Sequence, residues 1–167
     1  MEPKNTRDHL LQVGLRRIHS MGYQSTGVQE ILDEANVPKG SFYHHFASKE
    51  AFAKEVLELY ARRENERAQK ILGDSKAAPL KRLRRYFETL IAVFGPTAEI
   101  SGCMLGNLSL EMADRSDPIQ TLLHQSFSVW QTGIAGVLQE AIDRGQAPRE
   151  LMNTVHSQAV KAGANHR

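Results

Sequence analysis

Thiol chemistry is nearly absent from this chain. Its one cysteine, Cys103, excludes an intrachain disulfide and any cysteine-rich zinc site, leaving a lone thiol to be explained. Long apolar runs are also missing. No stretch approaches the length that spans a bilayer, and the N-terminus, MEPKNTRDHLLQVG, lacks the basic-then-apolar layout of a signal peptide. The expected location is therefore the cytoplasm, with no membrane partner. In that setting Asn107-Leu108-Ser109 matches a glycosylation acceptor that has no such chemistry to meet. Alternating runs of β-branched residues are lacking, which argues against strands. Charge of one sign is scarce too: the net charge of +2 is too small to announce a nucleic-acid partner by itself. His9, His19, His124, His156 and His166 show no mutual spacing that would build a metal site. The adjacent His44 and His45 would point about 100° apart on a helix. Neither metal nor cofactor is expected, and no nucleophile, base and orienting acid assemble into a catalytic set.

What the chain does have is helical periodicity. With 167 residues and 41% hydrophobic content it can bury a core, and apolar residues recur at three and four almost throughout. The fold class read from this pattern is all-α. Leu11, Leu15, Ile18 and Met21 form the stripe of a first helix over about 6–21, stopped by Gly22. Ser25 or Thr26 is placed to cap a short second helix ending near Ala35, with Gln29 or Glu30 closing a capping box. Asn36 tolerates the left-handed conformation that a tight turn needs, and Pro38 suits the first position of a third helix anchored by Phe42 and Phe46. Ser48 caps a fourth. Further helices are expected from about Pro79 to Phe94, around Cys103 to Met112, and from a break at Asp117-Pro118 to about Asp143. The last of these carries Leu122, Phe127, Trp130, Ile134, Val137, Leu138 and Ile142, and one modest helix from about Arg149 follows it. No internal repeat or low-complexity segment interrupts the series.

Placement of charge says more than its sum. Residues 62–85 hold nine basic against three acidic side chains, a run that reads first as a solvated helix face and loop. The opening stretch is nearly balanced, yet "VPKGSFYHHFASKEAF" gathers Lys39, Tyr43, His44 and Lys49 with no acid before Glu50. Three short helices, the last pair joined by a turn of about three residues, make a helix-turn-helix, whose second helix enters the major groove. Here that helix opens on Lys39, Gly40 and Ser41: a cation, room for close backbone approach, and free N–H groups that suit a phosphate. Tyr43 and His44 can reach the DNA backbone or a base, and Lys49 can hold a flanking phosphate.

The segment "TGVQEILDEANVPKGSFYHHFASKEAF" resembles the DNA-binding domain of the tetracycline-repressor (TetR) family of bacterial regulators. The resemblance covers about residues 5–60, with Val37, Lys39-Gly40, Phe42-Tyr43, Phe46 and Lys49-Glu50 in register; Asn36 stands where many members carry glycine. It implies that Thr26, Lys39, Ser41, Tyr43, His44 and Lys49 contact DNA, and that the protein is a homodimer on a palindromic double-stranded operator. Residues 1–50 would be the DNA-binding domain. Residues 51–167 would form a helical bundle for ligand binding and dimerisation, shortened at the C-terminus because about one helix follows Asp143 where the family uses two. A second segment, "ISGCMLGNLSLEMAD", is similar to the Gly-Cys-Leu-x-x-Asn stretch of a branch that includes repressors of electrophile and acrylate responses. It points to a small-molecule inducer of that reactive kind, with Cys103, Asn107 and Trp130 as ligand or sensor residues. Cys103 follows Ser101 and Gly102 at what reads as a helix start, a position that favours the thiolate; read structurally, it is a small buried hydrophobe. The rival functions are a thiol-based redox enzyme using Cys103 and a helical interaction module that binds no DNA.

Overall fold

The computed structural model describes residues 5–95, 102–112 and 116–152, and every regular element among them is a helix. In chain order these are α1 (Thr6–Met21), α2 (Val28–Ala35), α3 (Lys39–His45), α4 (Lys49–Leu72), α5 (Pro79–Phe94), α6 (Met104–Met112) and α7 (Asp117–Asp143). Most ends lie where local chemistry puts them. Asn5 accepts the Arg7 N–H at 2.9 Å to open α1, and Gly22 closes it at φ 84°, its N–H bonded to the Ile18 carbonyl. Ser48 Oγ accepts the Ala51 N–H at 3.0 Å as the cap of α4. Asn36 adopts the left-handed conformation, φ 52° and ψ 47°, between α2 and α3.

Two ends differ from expectation. The cap of α2 is Gly27 rather than Ser25 or Thr26, and Glu30 rather than Gln29 reaches back to accept the Gly27 N–H at 3.0 Å. Glycine has no side chain to return the bond, so half of a capping box is present. Pro38 stands one residue before α3, with ψ 145°, its carbonyl accepting the Ser41 N–H at 2.9 Å. The helix expected to continue from Arg149 is described only to Met152, and the remainder of that segment, like most of the loop after Phe94, lies outside the described residues.

The described residues pack as two compact units, one from 1–64 with 92–127 and one from 65–91 with 128–167. The first is built on Phe42, Phe52, Leu10, Ile18, Ile31 and Leu32, each essentially without solvent contact; full burial of such a side chain contributes about 1.5–3 kcal/mol. Rings of Phe42, Phe46 and Phe52 stack at centroid distances of 4.8–5.3 Å and fix α3 onto α4. Gly14 makes room for them, since a Cβ there would lie 2.2 Å from Phe52 Cζ. The buried face of α1 is accordingly Leu10, Leu11, Val13, Gly14 and Ile18, while Met21, expected in the stripe, is 61% exposed.

The second unit packs Ala68, Ile71, Leu72, Tyr86 and Val137 together with Leu83, Leu90 and Ile134. Arg82 belongs to this interior rather than to a solvated basic face. It is 6% exposed, donates from Nη1 to the Leu72 carbonyl at 2.7 Å and from Nη2 to Glu140, whose other oxygen accepts from Arg144 at 2.6 Å. It thus ties the end of α4 to α5 and α7. Among the described residues, no helix is long and apolar enough to cross a membrane.

Candidate nucleic-acid interface

Turn and helix together form the candidate surface. The left-handed Asn36 reverses the chain after α2, and the Val37 N–H closes onto the Leu32 carbonyl at 3.0 Å. Phe42 and Phe46 then pull one face of α3 into the core, which leaves Lys39, Gly40, Tyr43 and His44 exposed and Ser41 half-buried. Tyr43 is 57% exposed although its ring edges against Phe42 at 5.3 Å, so the phenol is braced from below and free above. A Cβ on Gly40 would meet nothing within 4 Å; the space over that backbone is open. No carboxylate lies on α3.

Lys49, the first residue of α4, is half-buried, and its ammonium sits 4.3 Å over the face of the Tyr23 ring. Burial pulls this ammonium below the usual lysine range, with Glu111 and Glu30 acting the other way. Thr26 is the exception among the expected contacts. It is fully buried, its hydroxyl donates to the Gly22 carbonyl at 2.7 Å and its N–H to the Tyr23 carbonyl at 3.4 Å. Its side chain therefore presents no surface to a duplex, and its observed work is to close the α1–α2 turn.

The expected sensor residues fall into separate places. Cys103 stands immediately before α6, half-buried, with its carbonyl accepting the Asn107 N–H at 3.0 Å. The Tyr60 hydroxyl donates to Cys103 Sγ at 3.6 Å and accepts the Met104 N–H at 3.3 Å. Burial first, then the neighbouring Cys103, raises the Tyr60 phenol well above its ordinary value of 10.0. His19 donates from Nε2 to the Gly102 carbonyl at 2.9 Å, and its ring stands edge-on to Tyr60 at 5.5 Å. Asn107, one turn on from Cys103, lies beside Gly102. Ser101 lies outside the described residues. Trp130, by contrast, belongs to the second unit, 41% exposed, where its indole N–H donates to the Tyr86 hydroxyl. A shallow groove of about 460 Å³ beside Lys54, Glu58, Pro118, Thr121 and Gln125 is lined by none of the three.

Sequence reasoning missed Tyr23, His19, Tyr60 and Glu111. Tyr23 follows the helix-ending Gly22 directly, and an aromatic at a helix exit was the available signal. The other three work through partners 43 to 87 residues away, which leave no local trace.

A short helix, a left-handed turn and a second helix bearing lysine, tyrosine and histidine above a phenylalanine core define a helix-turn-helix head. The family model for bacterial regulatory proteins, tetR family, matches residues 10–56, and that for a tetracyclin repressor-like C-terminal domain matches residues 79–163. The chain is 35% identical over 145 residues to the HTH-type transcriptional repressor DhaR of Mycobacterium sp. (strain GP1), covering 87% of this chain and 71% of that protein. It is 32% identical to the HTH-type transcriptional repressor NemR of Escherichia coli (strain K12), covering 85% and 69%. A regulatory protein TetR from Rhodobacter sphaeroides superposes with a TM-score of 0.82 at 30% identity, over 93% of this chain and 83% of that one. The chain belongs to the tetR family of bacterial regulatory proteins. That is a family of transcriptional regulators rather than enzymes, and neither the thiol enzyme nor the module without DNA finds support in it.

Proposed function

We propose that this protein is a homodimeric repressor that holds a palindromic operator through two copies of the head formed by residues 1–50 and releases it when the remaining helices, 51–167, take up a small molecule. The observation that carries the reading is the exposed face of α3, where Lys39, Tyr43 and His44 stand clear of a buried Phe42 with no acid among them. In the bound state α3 lies in the major groove, Lys39 and Tyr43 reach phosphates or base edges, and Ser41 and His44 add hydrogen bonds. Release follows from population shift: a ligand that fits one arrangement of the helices better favours a head spacing that no longer matches successive major grooves.

Duplex binding over a range of salt tests this. The logarithm of affinity should fall steeply with salt, as for several neutralised phosphates, and Lys39→Ala should reduce the slope by about one. Tyr43→Phe should weaken specific and nonspecific binding alike. A wild-type protein whose weak DNA affinity ignores salt would remove the reading.

The inducer reading is narrower. Cys103, half-buried at the start of α6 and in hydrogen-bond reach of a buried phenol, supports an electrophile that alkylates its sulfur. The relatives named as repressors, NemR among them, make a repressor the frame for that chemistry.

A further inference from the structure

We infer that Tyr23 is a positioning residue for DNA binding: its ring holds the Lys49 ammonium in place for a backbone phosphate. This rests on the reading of Lys49 as a DNA contact. Three observations support the role. First, the ammonium lies 4.3 Å from the ring centroid, the distance at which the negative face of the ring attracts a cation. A lysine otherwise spends its four-carbon stem among many rotamers, and fixing it beforehand removes part of the ordering cost from the binding step.

Second, the backbone that carries the ring is held by hydrogen bonds on both sides of Tyr23. The Gly22 N–H bonds to the Ile18 carbonyl at 3.0 Å, and the Tyr23 carbonyl accepts the Thr26 N–H at 3.4 Å. Thr26 Oγ donates to the Gly22 carbonyl at 2.7 Å, and the Gln24 N–H to Glu111 Oε2 at 3.0 Å. Gly22 holds φ +84°, and a Cβ there would come 2.5 Å from Glu111 Oε1, so the carboxylate lies close against the turn. The buried Thr26 thereby acts on DNA at one remove, through the ring it places. Third, the ring itself packs against the apolar core of the head while its face stays turned to Lys49.

The test is a double-mutant cycle read by operator binding and its salt slope, with Tyr23→Leu, Tyr23→Phe and Lys49→Ala. Losing the ring face should weaken binding by about two- to fivefold in Tyr23→Leu, as an exposed cation–π contact is worth, while Tyr23→Phe retains wild-type affinity. In the Lys49→Ala background Tyr23→Leu should then cost nothing further, and Tyr23→Trp on wild-type Lys49 should bind at least as well as tyrosine. Equal losses from Tyr23→Leu with and without Lys49 would overturn the inference and leave Tyr23 as packing. Equal losses from Tyr23→Phe and Tyr23→Leu would overturn it as well, since the phenol would be the working group. Failure of the DNA reading itself looks different: the wild-type protein would then show no salt slope at all.

Discussion

Asn36 carries the turn between α2 and α3 in the left-handed region, at φ 52° and ψ 47°, where an L residue pays for the closeness of its Cβ to the following carbonyl. Asparagine bears that cost better than most. Asn36→Gly should therefore leave stability unchanged within a few tenths of a kcal/mol, whereas Asn36→Ala should cost about 1 kcal/mol, and urea denaturation of both variants measures the difference. This residue was legible in the sequence because the constraint is local: a polar short side chain between two apolar helical stretches and before a proline. Arg82 was not. In the sequence it is one base in a basic run, and only the fold brings its guanidinium to Glu140, 58 residues on, and to the Leu72 carbonyl. Arg82→Leu should destabilise the protein by about 2–4 kcal/mol, less than a fully enclosed pair because Glu140 remains one-third exposed. Substitution of the exposed Lys81 to leucine should change stability by less than about 0.5 kcal/mol in the same denaturation series.

At the scale of one element, α6 is held at both ends by groups on other helices or turns. His19 grips the Gly102 carbonyl before it, the Tyr60 hydroxyl accepts its first N–H, and Glu111 near its end caps Gln24. Its limits were readable from the apolar pattern around Cys103 to Met112, and so was the place of the cysteine at its start. The fastenings were not, because each joins an ordinary polar residue to a distant backbone group. Tyr60→Phe should strand the buried Met104 N–H and cost about 1–3 kcal/mol. The same phenol gives a pH signature. An unfolded tyrosine ionises near 10.0, whereas burial keeps the Tyr60 proton on to higher pH in the folded protein. Above pH 10 the unfolded chain thus holds fewer protons than the folded one, and stability present below that pH is lost as pH rises. Tyr23, raised chiefly by burial and then by Glu50, acts in the same direction. Denaturation midpoints compared between about pH 8 and about pH 11 should fall for the wild type and fall less for Tyr60→Phe.

For the proposed homodimer the deciding quantity is how its two heads are held one helical turn apart, because a single head buries little surface on DNA. Sedimentation at micromolar concentration should show a dimer, and a strict monomer binding half-sites alone would leave the proposed assembly without its second head. On the proposed reading, Cys103 is the group through which an electrophile would change that spacing. Its sulfur, one residue before α6, accepts at 3.6 Å from the hydroxyl of Tyr60 on α4, the long helix that begins at Lys49. Addition of a maleimide there would break the thiol S–H bond and form a carbon–sulfur bond; the π electron pair of the carbon–carbon double bond moves to the carbon next to the carbonyl, which takes up the thiol's proton, and no oxidant is needed. The adduct turns the sulfur into a thioether and inserts bulk beside the Tyr60 hydroxyl that donates to it. If release works by the proposed population shift, the adduct would disfavour the operator-binding arrangement by as much as it fits the two arrangements differently. N-ethylmaleimide should release the wild-type protein from operator DNA in a gel-shift titration, and Cys103→Ser should stay bound at the same reagent concentration. Release of both proteins alike would assign Cys103 to packing and leave induction to a noncovalent ligand.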